Sequence, residues 1–279
     1  MRSRLAVNLA LFALLAALAL LAWYRPKSGE PETFRVSQLE PARVDSLRIE
    51  KPGQEPIALA KRRGEWFLAS PWQARAHEAR VERLLEILTL RAQQRLPAED
   101  LARFELDRPL ATLTASGETL AAGTINSVTR EQYLRAGSWV YLVESRAIAD
   151  LFAPAERLLS PSLFGPGESP VAFELDSVSL RQEDGRWRRS PPPAKPVSQD
   201  DFNRWVQEWR LATAMDVQPA ALAGADASPR ELRIALAGGK SVPLRVLQRD
   251  PALILLRMDE GLAYRFPREV GERLLAPPR

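Results

Sequence analysis

His77 is the only histidine among 279 residues, and the chain has no cysteine. Any Ser-His-Asp arrangement or imidazole-bound metal must therefore pass through one side chain. It stands in Arg75-Ala76-His77-Glu78-Ala79-Arg80, beside polar residues at the start of a helical stripe. That setting reads as a solvent-facing residue in a helix's first turn. A zinc site of ordinary ligand types draws on several His or Cys residues, more than this chain has, so no metal is expected. Thiolate chemistry is excluded. Adjacent carboxylates occur at Glu99-Asp100 and Asp200-Asp201. A glycosidase-type pair must face across a cleft, which adjacency along the chain does not arrange. Asp200 and Asp201 instead open a helical stripe, where negative charge complements the helix dipole and can cap free N–H groups. No catalytic residue, cofactor or metal ligand is assigned on these grounds.

The elements that would position such residues come twice. From Gly64-Glu65-Trp66 and again from Gly185-Arg186-Trp187, one order of signals unfolds at an offset of 121 residues, from 66 to 187. Each Trp is followed by a proline, Pro71 and Pro192. Next comes an apolar stripe at helical spacing: Val81, Leu84, Leu85 and Leu88 in one copy, Phe202, Trp205, Val206 and Trp209 in the other. Strand pairs follow, from Ala111 to Leu120 and from Arg233 to Val242, and both copies close on an aromatic strand and a short helix. Alternating apolar residues at Leu47, Ile49, Ile57, Leu59, Trp66 and Leu68, broken by Pro52-Gly53 and Arg63-Gly64, read as strands joined by turns. Strand runs with an inserted helix, and no βαβ alternation, predict an α+β fold. Each repeat is expected to be an antiparallel sheet with helices on one face.

The run from Leu5 to Tyr24 has Asn8 as its only polar member before Tyr24. At about 1.5 Å per residue, a helix of that length spans roughly 30 Å, the hydrocarbon thickness of a bilayer. Arg2 and Arg4 precede it and Trp23-Tyr24 stand where an interfacial aromatic pair belongs, so a single-pass, N-in transmembrane anchor is expected. A cleaved signal peptide is the alternative, with Leu20-Leu21-Ala22 a poor cleavage signal. The expected division is an anchor over 1–26, a stalk over 27–43, a first repeat over 44–152, a linker over 153–171 and a second repeat over 172–279. Pro154, Pro161, Gly165, Pro166, Gly167 and Pro170 mark the linker. The globular part is expected in the periplasm, outside the inner (cytoplasmic) membrane.

A net charge of +4 and 46% hydrophobic residues leave ample apolar material for folded cores. The basic runs Lys61-Arg62-Arg63 and Arg186, Arg188, Arg189 read as solvated hairpin tips, with anionic headgroups or an acidic partner as the sharper alternative. No nucleic-acid partner is expected for a body outside the cytoplasm. Trp205 and Trp209 take the places of Leu84 and Leu88 and read as core. Trp66, Trp139 and Trp187 are the further aromatics that could line a groove.

Three motifs occur in order: Gly64-Glu65-Trp66 with Pro71, then Phe104-Glu105-Leu106-Asp107-Arg108-Pro109, then Tyr133-Leu134-Arg135 with Val140-Tyr141. With the N-terminal apolar run, they make the chain resemble the bacterial domain-of-unknown-function 4340 family. Glu105 stands where that family's pattern has Gly, which predicts a differently built turn. The second copy keeps Gly224-Ala225-Asp226, Pro229, Arg257 and Tyr264. The resemblance implies genes beside gliding-motility-type ABC transporter components, and so an accessory role with ABC-transporter membrane components as partners. It also marks Asp107 and Arg135, with Asp226 and Arg257 in the second copy. These four read as turn and cross-strand residues or as a candidate docking surface. The function expected is a non-enzymatic, membrane-anchored accessory protein. The alternative is an envelope glycan- or lipid-binding module using the cleft between the repeats, which a pocket lined by several tryptophans would favour.

Overall fold

One turn is built the same way in both halves. Arg63-Gly64 and Asp184-Gly185 each place two consecutive residues at positive φ, 54° and 91° in the first and 49° and 76° in the second. That pairing closes a two-residue hairpin with the twist of its strands, and the second position favours glycine. The structure, a computed structural model, describes residues 11–20, 32–222 and 230–279. It is a sheet-rich α+β fold with two large antiparallel sheets.

From edge to edge the first sheet runs Ala74–Arg75, Glu65–Ser70, Ile57–Arg62, Ser46–Glu50, Ala111–Ala115, Glu118–Ile125, Glu131–Ala136, Trp139–Glu144 and Arg95–Pro97. The second runs Arg186–Ser190, Val178–Glu183, Pro170–Leu175, Arg230–Leu236, Ser241–Gln248, Ala252–Arg257, Leu262–Pro267 and Asp216–Pro219. Strand for strand the orders agree, and among the described residues Ala74–Arg75 is the one addition. Period-2 alternation sets the faces: in Ser46–Glu50 only Leu47 and Ile49 are buried.

The helix Glu78–Glu86 buries Val81, Leu84 and Leu85, and Gln199–Arg210 buries Phe202, Trp205, Val206 and Trp209. The two indoles are held as well as packed. Trp205 Nε1 donates to Arg273 O at 3.0 Å and Trp209 Nε1 to Leu274 O at 2.9 Å. Both bonds fix the closing helix Arg268–Leu275 to its neighbour. In the first half the closing segment Ser145–Phe152 is 3-10 in place of the α-helix of the second.

Several expected boundaries move. Within the expected stalk, Phe34–Arg35 pairs with Arg91–Ala92 and Val36 is 3% exposed. The folded body thus starts ahead of residue 44, because strand pairing and one buried valine tie down this part of a Pro/Glu-rich stretch. The expected linker is packed: Leu158, Leu159 and Leu163 are buried, and Pro170 already begins a strand. Its prolines and glycines interrupt regular structure without loosening it, since the leucines between them join one apolar core that runs through both halves. Among the described residues no helix is long and apolar enough to cross a membrane. Residues 11–20 of the expected anchor are helical and exposed throughout, while 5–10 and 21–24 lie outside the described residues.

Candidate functional site

Two arginines enter the seam between the sheets from opposite halves. Arg75, on the edge strand of the first sheet, donates from Nε to Glu260 Oε1 at 2.7 Å and from Nη2 to Tyr264 Oη at 3.1 Å. The same Nη2 reaches Ser162 O at 3.0 Å and Leu163 O at 3.2 Å. Arg257, ending a strand of the second sheet, forks onto Glu168: Nη1 to Oε2 and Nη2 to Oε1, each at 2.8 Å. Its Nη1 also donates to Leu163 O at 2.6 Å, and its Nε to Asp259 Oδ1 at 3.1 Å. Tyr264 Oη donates to Glu260 Oε2 at 2.7 Å.

Burial alone would lower the pKa of Arg257, but the bonds from Glu168 and Asp259 outweigh it and raise it. Arg75 follows the same balance, with Glu260 as its largest favourable partner. For Glu168, burial pushes upward, yet the Arg257 bonds and the Gly165 N–H hold its carboxyl below the usual value. Burial and then the Glu260 charge keep the Tyr264 hydroxyl protonated, so it remains a donor.

Beside this network the seam opens into a cleft of about 740 Å³. Its walls are Glu65 and Trp66 from the hairpin, His77, Glu78 and Glu82 at the first long helix, Ser160, Phe164 and Glu168 from the connector, and Arg210 and Leu211 from the second long helix. Among the described residues Trp66 is the one tryptophan that lines it. Trp187, Trp205 and Trp209 are core, at 5%, 5% and 0% exposure.

His77 belongs to this cleft and is half-buried, which corrects its reading as solvent-facing. It precedes the helix as its N-cap, and its backbone N–H donates to Leu158 O at 2.7 Å, tying the helix start to the connector. Burial, then Arg80 and Arg83, lower its pKa and keep the imidazole neutral. Among the described residues no group of three His, Asp or Glu side chains is placed to hold a metal ion. At the second helix Ser198 is the cap: its Oγ accepts from Asp201 N–H at 3.1 Å, and its hydroxyl donates to Asp201 Oδ2 at 2.7 Å.

The four expected docking residues do not share a surface. Asp107 is exposed in a turn, and Arg135, half-buried, donates from Nε to Gly137 O at 3.3 Å. Asp226 lies outside the described residues. Arg257 is 2% exposed and belongs to the seam, so it cannot dock a partner. Register explains the error. Leu134 faces Tyr141 and Ala136 faces Trp139, as Leu255 faces Tyr264 and Arg257 faces Leu262. Arg257 thus takes the place of Ala136, one residue from Arg135's, and one residue in a strand exchanges the faces.

The Phe104–Pro109 motif packs on the sheet face away from the long helices. Phe104, Leu106, Ala121 and Val140 form a separate cluster there, with Tyr133 at 4.6 Å from the Phe104 ring. Gly123 permits this approach, since a Cβ on it would lie 2.1 Å from Phe104 O. Glu105 adopts φ 55°, the left-handed conformation that glycine favours.

The pair of like-ordered sheets, locked at a charged seam, defines a tandem two-sheet α+β class. The model of one family, Domain of unknown function (DUF4340), matches residues 66–233, more than half of the chain, and the chain belongs to that family. No curated protein and no solved structure matches it.

Proposed function

We propose that the chain is a non-enzymatic accessory protein built of two tandem repeats. On this reading residues 5–24 anchor it in the inner membrane, and its body stands in the periplasm beside an ABC-type transport or motility-like complex. The observation that carries the reading is the helix over residues 11–20. Its side chains are apolar and exposed, with Phe12 at 76%, Leu15 at 62% and Leu20 at 60%. A helix apolar on every face that covers none of them on its own protein needs an apolar surrounding. The gene neighbourhood implied by the family supports the accessory role. The seam adds support of another kind, since Arg75, Arg257, Glu168 and Glu260 are bonded to one another across the halves, the use a rigid spacer has for charges. Co-purification of the full chain from detergent-solubilised membranes tests the role. Recovery of ABC-type membrane components is expected, and a chain that inserts in membranes yet brings down none of them overturns it.

The cleft of about 740 Å³ favours a second reading, an envelope glycan- or lipid-binding module. A rise in melting temperature of the full chain with purified glycan strands or phospholipid, abolished by Trp66→Ala in a folded protein, would favour it.

A further inference from the structure

The described part of the folded body begins at a basic corner. Phe34–Arg35 pairs antiparallel with Arg91–Ala92, and the register sets Arg35 directly opposite Arg91. Like charges so placed repel. Both are exposed, and among the described residues neither has an ion-pair partner; Arg91 Nη1 donates only to Thr33 Oγ1, at 3.2 Å. Close by, the Arg95 guanidinium lies between the rings of Phe34, 4.2 Å away, and Trp139, 4.1 Å away. Trp139, on the same sheet face as Arg95, is 36% exposed. Arg95 and Pro97 lie on the sheet's outer edge strand, and protection of that edge accounts for them. It does not account for Arg35 opposite Arg91, a pair off that edge.

An anionic surface would turn this repulsion into attraction. Guanidinium groups bind phosphate in a fork, and a half-exposed indole suits the headgroup level of a bilayer. The tether is short: the residues between 24 and 34, fully extended, reach roughly 30 Å. We infer that Arg35, Arg91 and Arg95, with Trp139, form a surface that docks on the anionic headgroups of the bilayer that anchors the chain. The inference rests on the anchor reading above. Three arginines at such a surface correspond to roughly a 100-fold shift toward the docked state.

Because the chain has no cysteine, Gln93→Cys gives a unique labelling position in the exposed link beside the corner. The full chain, labelled there with a donor dye, is reconstituted into nanodiscs carrying a headgroup acceptor. The discs are phosphatidylcholine alone, or the same lipid with phosphatidylglycerol. Energy transfer is expected to be higher with phosphatidylglycerol, to fall at high salt, and to fall in Arg35→Gln/Arg91→Gln/Arg95→Gln. Arg35→Gln alone separates docking from folding: it relieves the repulsion, so the protein should be at least as stable while docking less. Equal transfer in both discs overturns the inference and leaves the anchor standing. Transfer lost on adding inorganic phosphate at constant ionic strength overturns the bilayer assignment. A chain that does not enter discs overturns both readings.

Discussion

Arg75 Nε donates to Glu260 Oε1 at 2.7 Å across 185 residues of chain. The bond ties an edge strand of the first sheet to the turn between the last two long strands of the second. Arg257 works on the same place from the other side, and both arginines donate to the Leu163 carbonyl. The connector between the sheets is therefore the middle of a clasp. Its charges are few and largely out of water, which makes their loss unequal to the loss of surface charges.

Arg257→Ala should destabilise the protein by about 3–5 kcal/mol, because Glu168 would be left part-buried without its fork. Arg257→Lys should recover only part of that, since an ammonium cannot bond Glu168, Asp259 and Leu163 in one plane. Arg135→Ala, at half-buried Arg135 on the other face, should change stability by less than about 0.5 kcal/mol. Urea unfolding of the three variants checks the order, and equal losses for Arg257→Ala and Arg135→Ala would refute the clasp.

Acid should loosen the seam. Glu168 has a folded pKa below its ordinary 4.5, so the stability it contributes is fully present above that value and is lost as pH falls through the folded one. Glu168→Gln should be less stable at neutral pH and should show a flatter decline below 4.5. His77 adds a second window, because its folded pKa lies below 6.5 and the unfolded chain binds the proton first. Its contribution is present above 6.5 and fades as pH falls below it. His77→Gln should flatten that part of the profile, read as melting temperature against pH.

Glu105→Gly should stabilise the protein by roughly 1 kcal/mol, by removing a non-glycine residue from left-handed backbone. The gain is partly offset by the greater freedom of glycine in the unfolded chain. A loss of stability on thermal melting would show that the Glu105 side chain holds the turn.

Much of the sheet architecture was legible, and the seam was not. Trp66 and Trp187 mark matching strands because hairpin turns and period-2 burial write themselves into adjacent residues. The stripe ending in Trp205 and Trp209 announced a core helix for the same reason, at a different period. Arg75, Glu168, Arg257 and Glu260 lie far apart in sequence, mostly at strand ends and in turns, where no periodicity reports a face. Arg257 looked like the counterpart of Arg135 until the register placed it opposite Leu262. The prolines and glycines of 153–171 resembled a loose linker, although the leucines among them are buried. His77 stood among exposed-type neighbours, and only the connector folding back on it turns it toward a cleft.

His77→Ala and Asp200→Asn should each leave function in the cell intact, as an accessory without acid/base chemistry requires. Charge reversal at Asp107 and Arg135 should weaken association with a membrane partner without lowering the melting temperature, if the outer face of the first sheet docks. Lost function in His77→Ala at unchanged stability would contradict the non-enzymatic reading and point to an enzyme.

The most direct measurement is alkaline carbonate extraction of membranes from cells expressing the full chain, beside a chain lacking residues 1–26. The full chain should stay with the membrane, and the shortened one should be soluble with an unchanged circular dichroism spectrum. A full chain released by carbonate, or a shortened one that aggregates and loses that spectrum, would contradict a folded body held at the membrane by its N-terminal segment.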